Sequence, residues 1–157
     1  MADPLQTGAP APAFRLSRDG GDLTLAHYVG KALVLYFYPK DDTSGCTREA
    51  ADFNALMPAF RDAGAEILGV SPDSNRSHDA FRKKHGLDIE LGSDETKETC
   101  EAFGVWQEKS MYGRKYMGVE RTTFLIGPDG RIAEIWPKVS VKGHADAVLA
   151  AVKALPR

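Results

Sequence analysis

The sequence predicts an α/β fold with a mixed sheet, on three observations. A continuous apolar run of strand length, 32–38, and a second buried strand, Ala65-Glu-Ile-Leu-Gly-Val70, each lead into a segment with helical periodicity. A third run, Thr122-Thr-Phe-Leu-Ile126, is joined through Gly127-Pro128-Asp129-Gly130 to 131–136, which makes an antiparallel hairpin rather than another crossover. A last helix follows, with Ala145, Val148, Leu149, Val152 and Leu155 on one stripe.

In chain order, residues 1–12 are rich in Pro and Ala and read as an extended lead-in. Phe14-Arg-Leu16 and Leu23-Thr-Leu25 flank Asp19-Gly20-Gly21, the pattern of a small N-terminal β-hairpin. Ala32–Tyr38 is the first buried strand, stopped by Pro39. Thr43 then serves as N-cap of a helix with Phe53, Leu56, Met57 and Phe60 on its apolar face; Pro58 should kink it and Gly64 ends it. After the strand at 65–70, Ser71-Pro72-Asp73-Ser74 opens a helix that closes at Gly86, and Arg82-Lys83-Lys84-His85 in its last turn read as a solvated face suited to a helix C-terminus. A short strand is expected at 88–91, and Ser93-Asp94 caps a helix carrying Cys100 and Phe103 at i, i+3. Residues 105–118 read as irregular.

One domain is expected, since 157 residues suffice for one core and not for two. A net charge of −2 leaves no basic excess for nucleic acid or an anionic membrane, and neither is expected as a partner. The first residues lack the basic and apolar regions of a signal peptide, and no apolar run could span a bilayer, so a cytoplasmic location is the default expectation. Two cysteines 54 positions apart form no disulfide framework. His27, His78, His85 and His144 have no short ligand spacing with each other or with either cysteine, which argues against a metal site.

The chemistry concentrates at Cys46. With Thr43 as N-cap it falls at the third helical position, where unpaired N–H groups and the positive end of the macrodipole favour a thiolate. Thr43 carries a hydroxyl that either caps the helix or hydrogen-bonds to sulfur and substrate. Pro39 offers an apolar wall without an N–H donor. Arg121, just before the 122–126 strand, either presents its fixed donors to sulfur and substrate or is a surface cation paired with Glu120. Cys46 without its flanks would be a small buried hydrophobe, and Cys100, on an apolar helix face, reads more as core than as redox partner. Cys46-Thr47-Arg48-Glu49 has no second cysteine, so it is not a thiol–disulfide exchange motif.

The pattern Pro39-x-x-x-Thr43-x-x-Cys46 with the distant Arg121 resembles the peroxiredoxin active site. Gly30-Lys31, Tyr36-Phe-Tyr-Pro-Lys-Asp-Asp-Thr43, Gly45-Cys46-Thr47, Gly104-Val-Trp106, Lys109, Tyr112-Gly113, Gly118 and Arg121-x-Thr123-Phe-Leu-Ile126 narrow it to the bacterioferritin comigratory protein, or peroxiredoxin Q, subfamily, from about Ala13 to Leu155. The resemblance implies a thioredoxin-like fold and a thiol peroxidase. Cys46 would attack hydrogen peroxide or an alkyl hydroperoxide and become a sulfenic acid, with Thr43 and Arg121 positioning the peroxide. No cofactor or metal is implied. The implied partners are the peroxide and a thiol reductant such as thioredoxin, in a monomer or weak dimer. Two departures stand out. Ser44 replaces the family's proline after the threonine. Ala51 and the segment Arg82–Lys84 hold no cysteine where relatives place a resolving one, so resolution falls to Cys100, to an external thiol, or to a cysteine that engineering has removed. A Cys46–Cys100 disulfide would require Cα atoms within about 7 Å. A reading from a different class is a non-enzymatic redox sensor or holdase switched by Cys46 oxidation.

Overall fold

A computed structural model describes residues 5–18 and 21–156. The N-terminal hairpin is β1 (Arg15–Arg18) against β2 (Gly21–Thr24), paired antiparallel; Asp19 and Gly20 of its turn lie outside the described residues, as do residues 1–4 of the lead-in. The remainder of the lead-in is held down, since Pro10 bridges Arg131 and Ala11 N–H donates to the Gly130 carbonyl at 2.9 Å. The other strands are β3 (Ala32–Phe37), β4 (Ala65–Ser71), β5 (Glu90–Ser93), β6 (Trp106–Met111), β7 (Arg114–Val119), β8 (Thr122–Ile126) and β9 (Ile132–Trp136). The helices are α1 (Ser44–Asp62), α2 (Asn75–His85), α3 (Glu98–Ala102) and α4 (His144–Lys153).

Seven strands form one mixed sheet in the order β2-β1-β5-β4-β3-β8-β9. The α1 and α2 crossovers make β3, β4 and β5 parallel, while β8 runs antiparallel to β3. All of β3 is buried, as its continuous apolar run requires, and its alternation divides the interior into two cores. Val34, Tyr36 and Tyr38 face a cluster with Cys46, Phe53 and Phe60 of α1 and Val148 and Val152 of α4. Leu33, Leu35 and Phe37 face the opposite cluster, with Leu16, Cys100, Phe103, Phe124 and Ile132. Each fully buried large side chain contributes roughly 1.5–3 kcal/mol, so β3, packed on both faces, is the scaffold from which the site is hung.

Helix α1 begins after Thr43, placing Cys46 at its third position, and runs through Pro58 to Asp62. Ser74 caps α2 through its side chain, and Gly86, at φ 62, ends it in the left-handed conformation that glycine adopts without strain.

Two expectations are corrected, and one is refined. Residues 105–118 are regular: β6 and β7 form a two-stranded ribbon outside the main sheet, paired from Trp106↔Val119 to Met111↔Arg114. Both faces are largely exposed, so the alternation that marks a half-buried strand is missing, and the turn Tyr112-Gly113 lacks the usual Asn-Gly signal. The last turn of α2 is not merely solvated, because Lys84 and His85 bind Asp42 at 2.7 and 2.8 Å. Capping of α3 falls to Asp94, whose carboxylate accepts the N–H groups of Thr99 and Cys100 at 3.2 and 2.7 Å from outside a helix that starts only at Glu98.

Candidate active site

Cys46 sits where the end of β3, the start of α1 and the start of β8 converge. It is 2% exposed. The register Phe37↔Thr122 sets Arg121 beside the turn that leaves β3, so the sheet brings a residue 75 positions away onto the sulfur. Arg121 Nη2 donates to Cys46 Sγ at 3.2 Å and Nη1 to Glu49 Oε1 at 2.6 Å. Gly45 makes room for this approach, since a Cβ there would lie 3.2 Å from Arg121 Nη2. Arg121 is therefore a partner of Glu49 and Cys46, not a surface cation paired with Glu120.

Glu49 is a residue of this site that the sequence reading misses. It lies three residues beyond Cys46 on α1 with a side chain 1% exposed. A carboxylate in the run Cys46-x-x-Glu49-Ala50-x-x-Phe53 falls on the helix's buried face, and that spacing is the available signal. Burial raises its pKa to about 7, against the opposing pull of Arg121. Burial also works against the charge of Arg121, but Glu49 and Cys46 outweigh it and hold the guanidinium more firmly protonated than usual.

Thr43 occupies the N-cap backbone position but makes no side-chain cap bond; its hydroxyl donates to the Lys40 carbonyl at 2.9 Å and remains exposed. Pro39 is half-buried at the end of β3. The turn between them is pinned from below. Buried Asp41 accepts from Tyr38 Oη at 2.5 Å and Ser77 Oγ at 2.8 Å, and lies 2.7 Å from His78 Nδ1, whose Nε2 lies 3.1 Å from the Gly92 carbonyl. Burial alone would raise the Asp41 pKa, yet the hydrogen bonds from His78 and Tyr38 bring it below the ordinary value. Asp41, Asp73 and His78 place ligand-type atoms within 4.8 Å of one another, but those atoms are engaged with Tyr38, Ser71, Ser77 and the Asp41 N–H.

Cys100 is not brought to this site. It is fully buried in the cluster on the other face of the sheet, with β3 between it and Cys46. Burial first, then the hydrogen-bonded Asp94, push its pKa up, which keeps it a thiol. A separate surface cleft lies at the far end of β3, lined by Ala32, Gly64, Gly127, Arg131 and Leu155.

A helix-N-terminal thiol under a guanidinium, on an α/β sheet of this topology, defines a thiol-based oxidoreductase. Comparison with known proteins narrows the class. The AhpC/TSA family model matches residues 7–135. The chain is 55% identical over 148 residues to a peroxiredoxin Bcp of Xanthomonas campestris, covering 92% of each chain, and 45% identical over 150 residues to peroxiredoxin Bcp of Bacillus subtilis, covering 95% of this chain and 96% of that protein. A solved structure of Xanthomonas campestris peroxiredoxin Q superposes with a TM-score of 0.88 at 52% identity, over 94% of this chain and 97% of that one. The chain belongs to the AhpC/TSA family and, within it, to the peroxiredoxins of the Bcp or Q group, with their thioredoxin-like fold. Its activity is thiol-dependent reduction of peroxides.

Proposed function

We propose that Cys46 is the peroxidatic nucleophile of this enzyme, assisted by Arg121, Thr43 and Pro39, and that an external thiol completes the cycle. The thiolate attacks one peroxide oxygen and the O–O bond breaks. Sulfur becomes a sulfenic acid, and the other oxygen leaves as water or an alcohol after taking up a proton. Arg121 donates to sulfur and, turned slightly, to the peroxide oxygen, so one fixed cation serves both charges of the transition state. Glu49 positions that guanidinium from behind. The Thr43 hydroxyl, at the mouth, exchanges its bond to the Lys40 carbonyl for one to the peroxide. Pro39 walls the pocket without offering a competing N–H. The observation that carries this reading is the 3.2 Å contact between Arg121 Nη2 and Cys46 Sγ.

Alkyl hydroperoxides are included among the proposed substrates, since the Xanthomonas campestris bacterioferritin comigratory protein, 51% identical to this chain, has alkyl peroxide reduction activity. Re-reduction begins when an external thiolate attacks the sulfenic sulfur; water departs, and a mixed disulfide remains for a second thiol to release. The position of Cys100 behind the sheet favours this one-cysteine cycle over a Cys46–Cys100 bridge. The proposal includes a single catalytic domain, working in the cytoplasm as a monomer or weak dimer with thioredoxin as reductant. The test is intact mass and free-thiol count after one equivalent of hydrogen peroxide with a sulfenic acid trap present. One trapped oxygen with Cys100 still free is the expected result, and loss of both thiols within one chain would replace it with the two-cysteine cycle. No rapid change at Cys46 would sink the reading.

A further inference from the structure

The β6–β7 ribbon carries an unusual concentration of exposed apolar side chains. Met111 is 56% exposed, Tyr112 98%, Tyr116 44% and Met117 49%; among the described residues the only other large hydrophobic so exposed is Val29. The ribbon pairs with no other strand among the described residues and is fastened at its base, where Val119 is buried and Glu120 N–H donates to the Val105 carbonyl at 2.8 Å. A free two-stranded ribbon gains little from such residues in the folded monomer.

The turn adds an independent observation. Tyr112 lies at φ 53 and Gly113 at φ 77, so the two-residue turn has both central residues left-handed. Glycine takes that conformation freely and asparagine nearly so, but a tyrosine there is strained, and its ring is almost wholly in solvent with no contact to offset the strain. A strained, exposed aromatic at a turn is what a binding role would retain.

Position and charge define the occupant. β7 leads through Glu120 directly into Arg121, and the Lys109 side chain, lying over Gly118 and against Tyr116, couples the ribbon to the site. Burial and then the Arg121 guanidinium lower the pKa of Lys109, while Glu120 and Cys46 pull the other way. Six residues at roughly 3.4 Å each put the tip about 20 Å from the base. A small thiol cannot touch both the tip and Cys46, whereas a folded domain of about 100 residues, with a radius of gyration of about 13 Å, spans them. Around the apolar tip stand Arg114 and Lys115; Lys115 has only exposed Glu108 at 3.7 Å, and among the described residues neither Lys109 nor Arg114 has a carboxylate within 4.0 Å. A second copy would bring these cations against themselves, while an acidic-rimmed partner would meet its complement.

We infer that the β6–β7 ribbon is a docking arm for a protein dithiol with an apolar face and an acidic rim, which grips the Tyr112 tip while delivering its thiol to Cys46. The inference rests on the one-cysteine reading above, in which an external thiol reduces the sulfenic acid.

The test compares two reductants on the full chain. Tyr112→Gly removes the ring and relieves the turn, so the ribbon stays folded; Lys115→Glu cancels the positive charge of the Arg114–Lys115 pair at the tip. For each variant, oxidation of Cys46 by hydrogen peroxide is followed in a single turnover, and re-reduction is then measured with dithiothreitol and with a bacterial thioredoxin. Oxidation and dithiothreitol rates should stay within about twofold of the parent, while KM for thioredoxin rises at least about fivefold in each variant and further in the pair. An unchanged KM for thioredoxin, or an equal loss with both reductants, would overturn the docking arm. So would dissociation of a parent dimer by Tyr112→Gly in sedimentation, which would assign the ribbon to a second copy. Failure of the underlying reading is separate: the parent's Cys46 would then not be oxidised, or its sulfenic acid would not be reduced by thioredoxin.

Discussion

Substituting Glu49→Gln should change the pH dependence of stability in a way that exposes two opposed buried groups. Glu49 binds its proton more tightly in the folded chain, with its pKa raised by burial to about 7 from the ordinary 4.5. Its contribution to stability is present in acid and is lost as pH rises through about 7. At roughly 1.4 kcal/mol per tenfold change in proton affinity, the full loss is about 3 kcal/mol. His144 works in the opposite sense. Burial, and then Arg121, push its pKa down to about 4 from 6.5, so its contribution is present above pH 6.5 and is lost as pH falls toward 4. Between roughly pH 4.5 and 6.5 the two slopes cancel in the parent protein. The glutamine side chain keeps an oxygen for Arg121 but binds no proton, so the variant should gain about 2.5 kcal/mol relative to the parent between about pH 5 and pH 8. Urea unfolding at half-unit pH intervals would measure it. Parallel stability curves for the two proteins would refute the placement of Glu49 as a carboxyl that burial keeps protonated near neutrality.

Three further predictions concern the site. Arg121→Met removes the donor to Cys46 Sγ and should lower the rate of Cys46 oxidation by about 10²–10³, read by stopped-flow fluorescence, with dithiothreitol reduction of the sulfenic acid much less affected. Thr43→Val should slow oxidation about 10–100-fold, the worth of one charge-assisted hydrogen bond, while Thr43→Ser keeps most of the rate; equal rates in both would leave Thr43 without a role in chemistry. Cys100→Ala should leave turnover with thioredoxin unchanged and lower stability by about 1 kcal/mol from lost packing, whereas loss of turnover at normal stability would bring Cys100 back as the resolving thiol.

Local signals on the chain suffice for β3, α1 and the third-position placement of Cys46, because an unbroken apolar run, a proline and an N-cap act within a few residues of one another. The β6–β7 ribbon is illegible because its side chains face water on both sides, and backbone pairing alone writes no period into a sequence. The Arg121 ambiguity has a different origin. Whether that side chain meets Glu120 or Cys46 depends on the β3–β8 register, a pairing that runs from Leu33↔Ile126 to Phe37↔Thr122 and that no local pattern encodes. Glu49 and Asp41 escape notice for a related reason. A lone acid beside an apolar stripe is usually solvated, and only the arrival of Arg121 on one and of His78 on the other lets each remain buried.

The loop that carries Thr43 to Cys46 is fixed by its neighbours as well as by its own hydrogen bonds, and this bears on how the sulfur is reached. Asp42 sits at φ 60, a left-handed conformation that aspartate and asparagine adopt more readily than other residues with a Cβ, and its carboxylate is held by Lys84 and His85 from the end of α2. Lys84 first, then His85, keep the Asp42 pKa below the ordinary value, so this clamp persists until the pH falls through that lowered value. The same stretch of α2, 82–84, is where relatives place a second cysteine. A resolving thiol there would have to come free of α2, whereas here the cations tie α2 to the loop. The clamp therefore suits the proposed cycle, in which the site stays folded while an external thiol reduces the sulfur. Asp42→Asn tests this with little change in backbone preference, because asparagine tolerates the left-handed region and loses only the charge. Amide exchange at Lys40–Cys46 should accelerate several-fold in the variant while exchange in β3 and β4 stays as in the parent, since only local opening is affected. Unchanged exchange at Thr43 and Cys46 would mean that the Asp41 network alone holds the loop and that the Asp42 clamp is ornamental to the site.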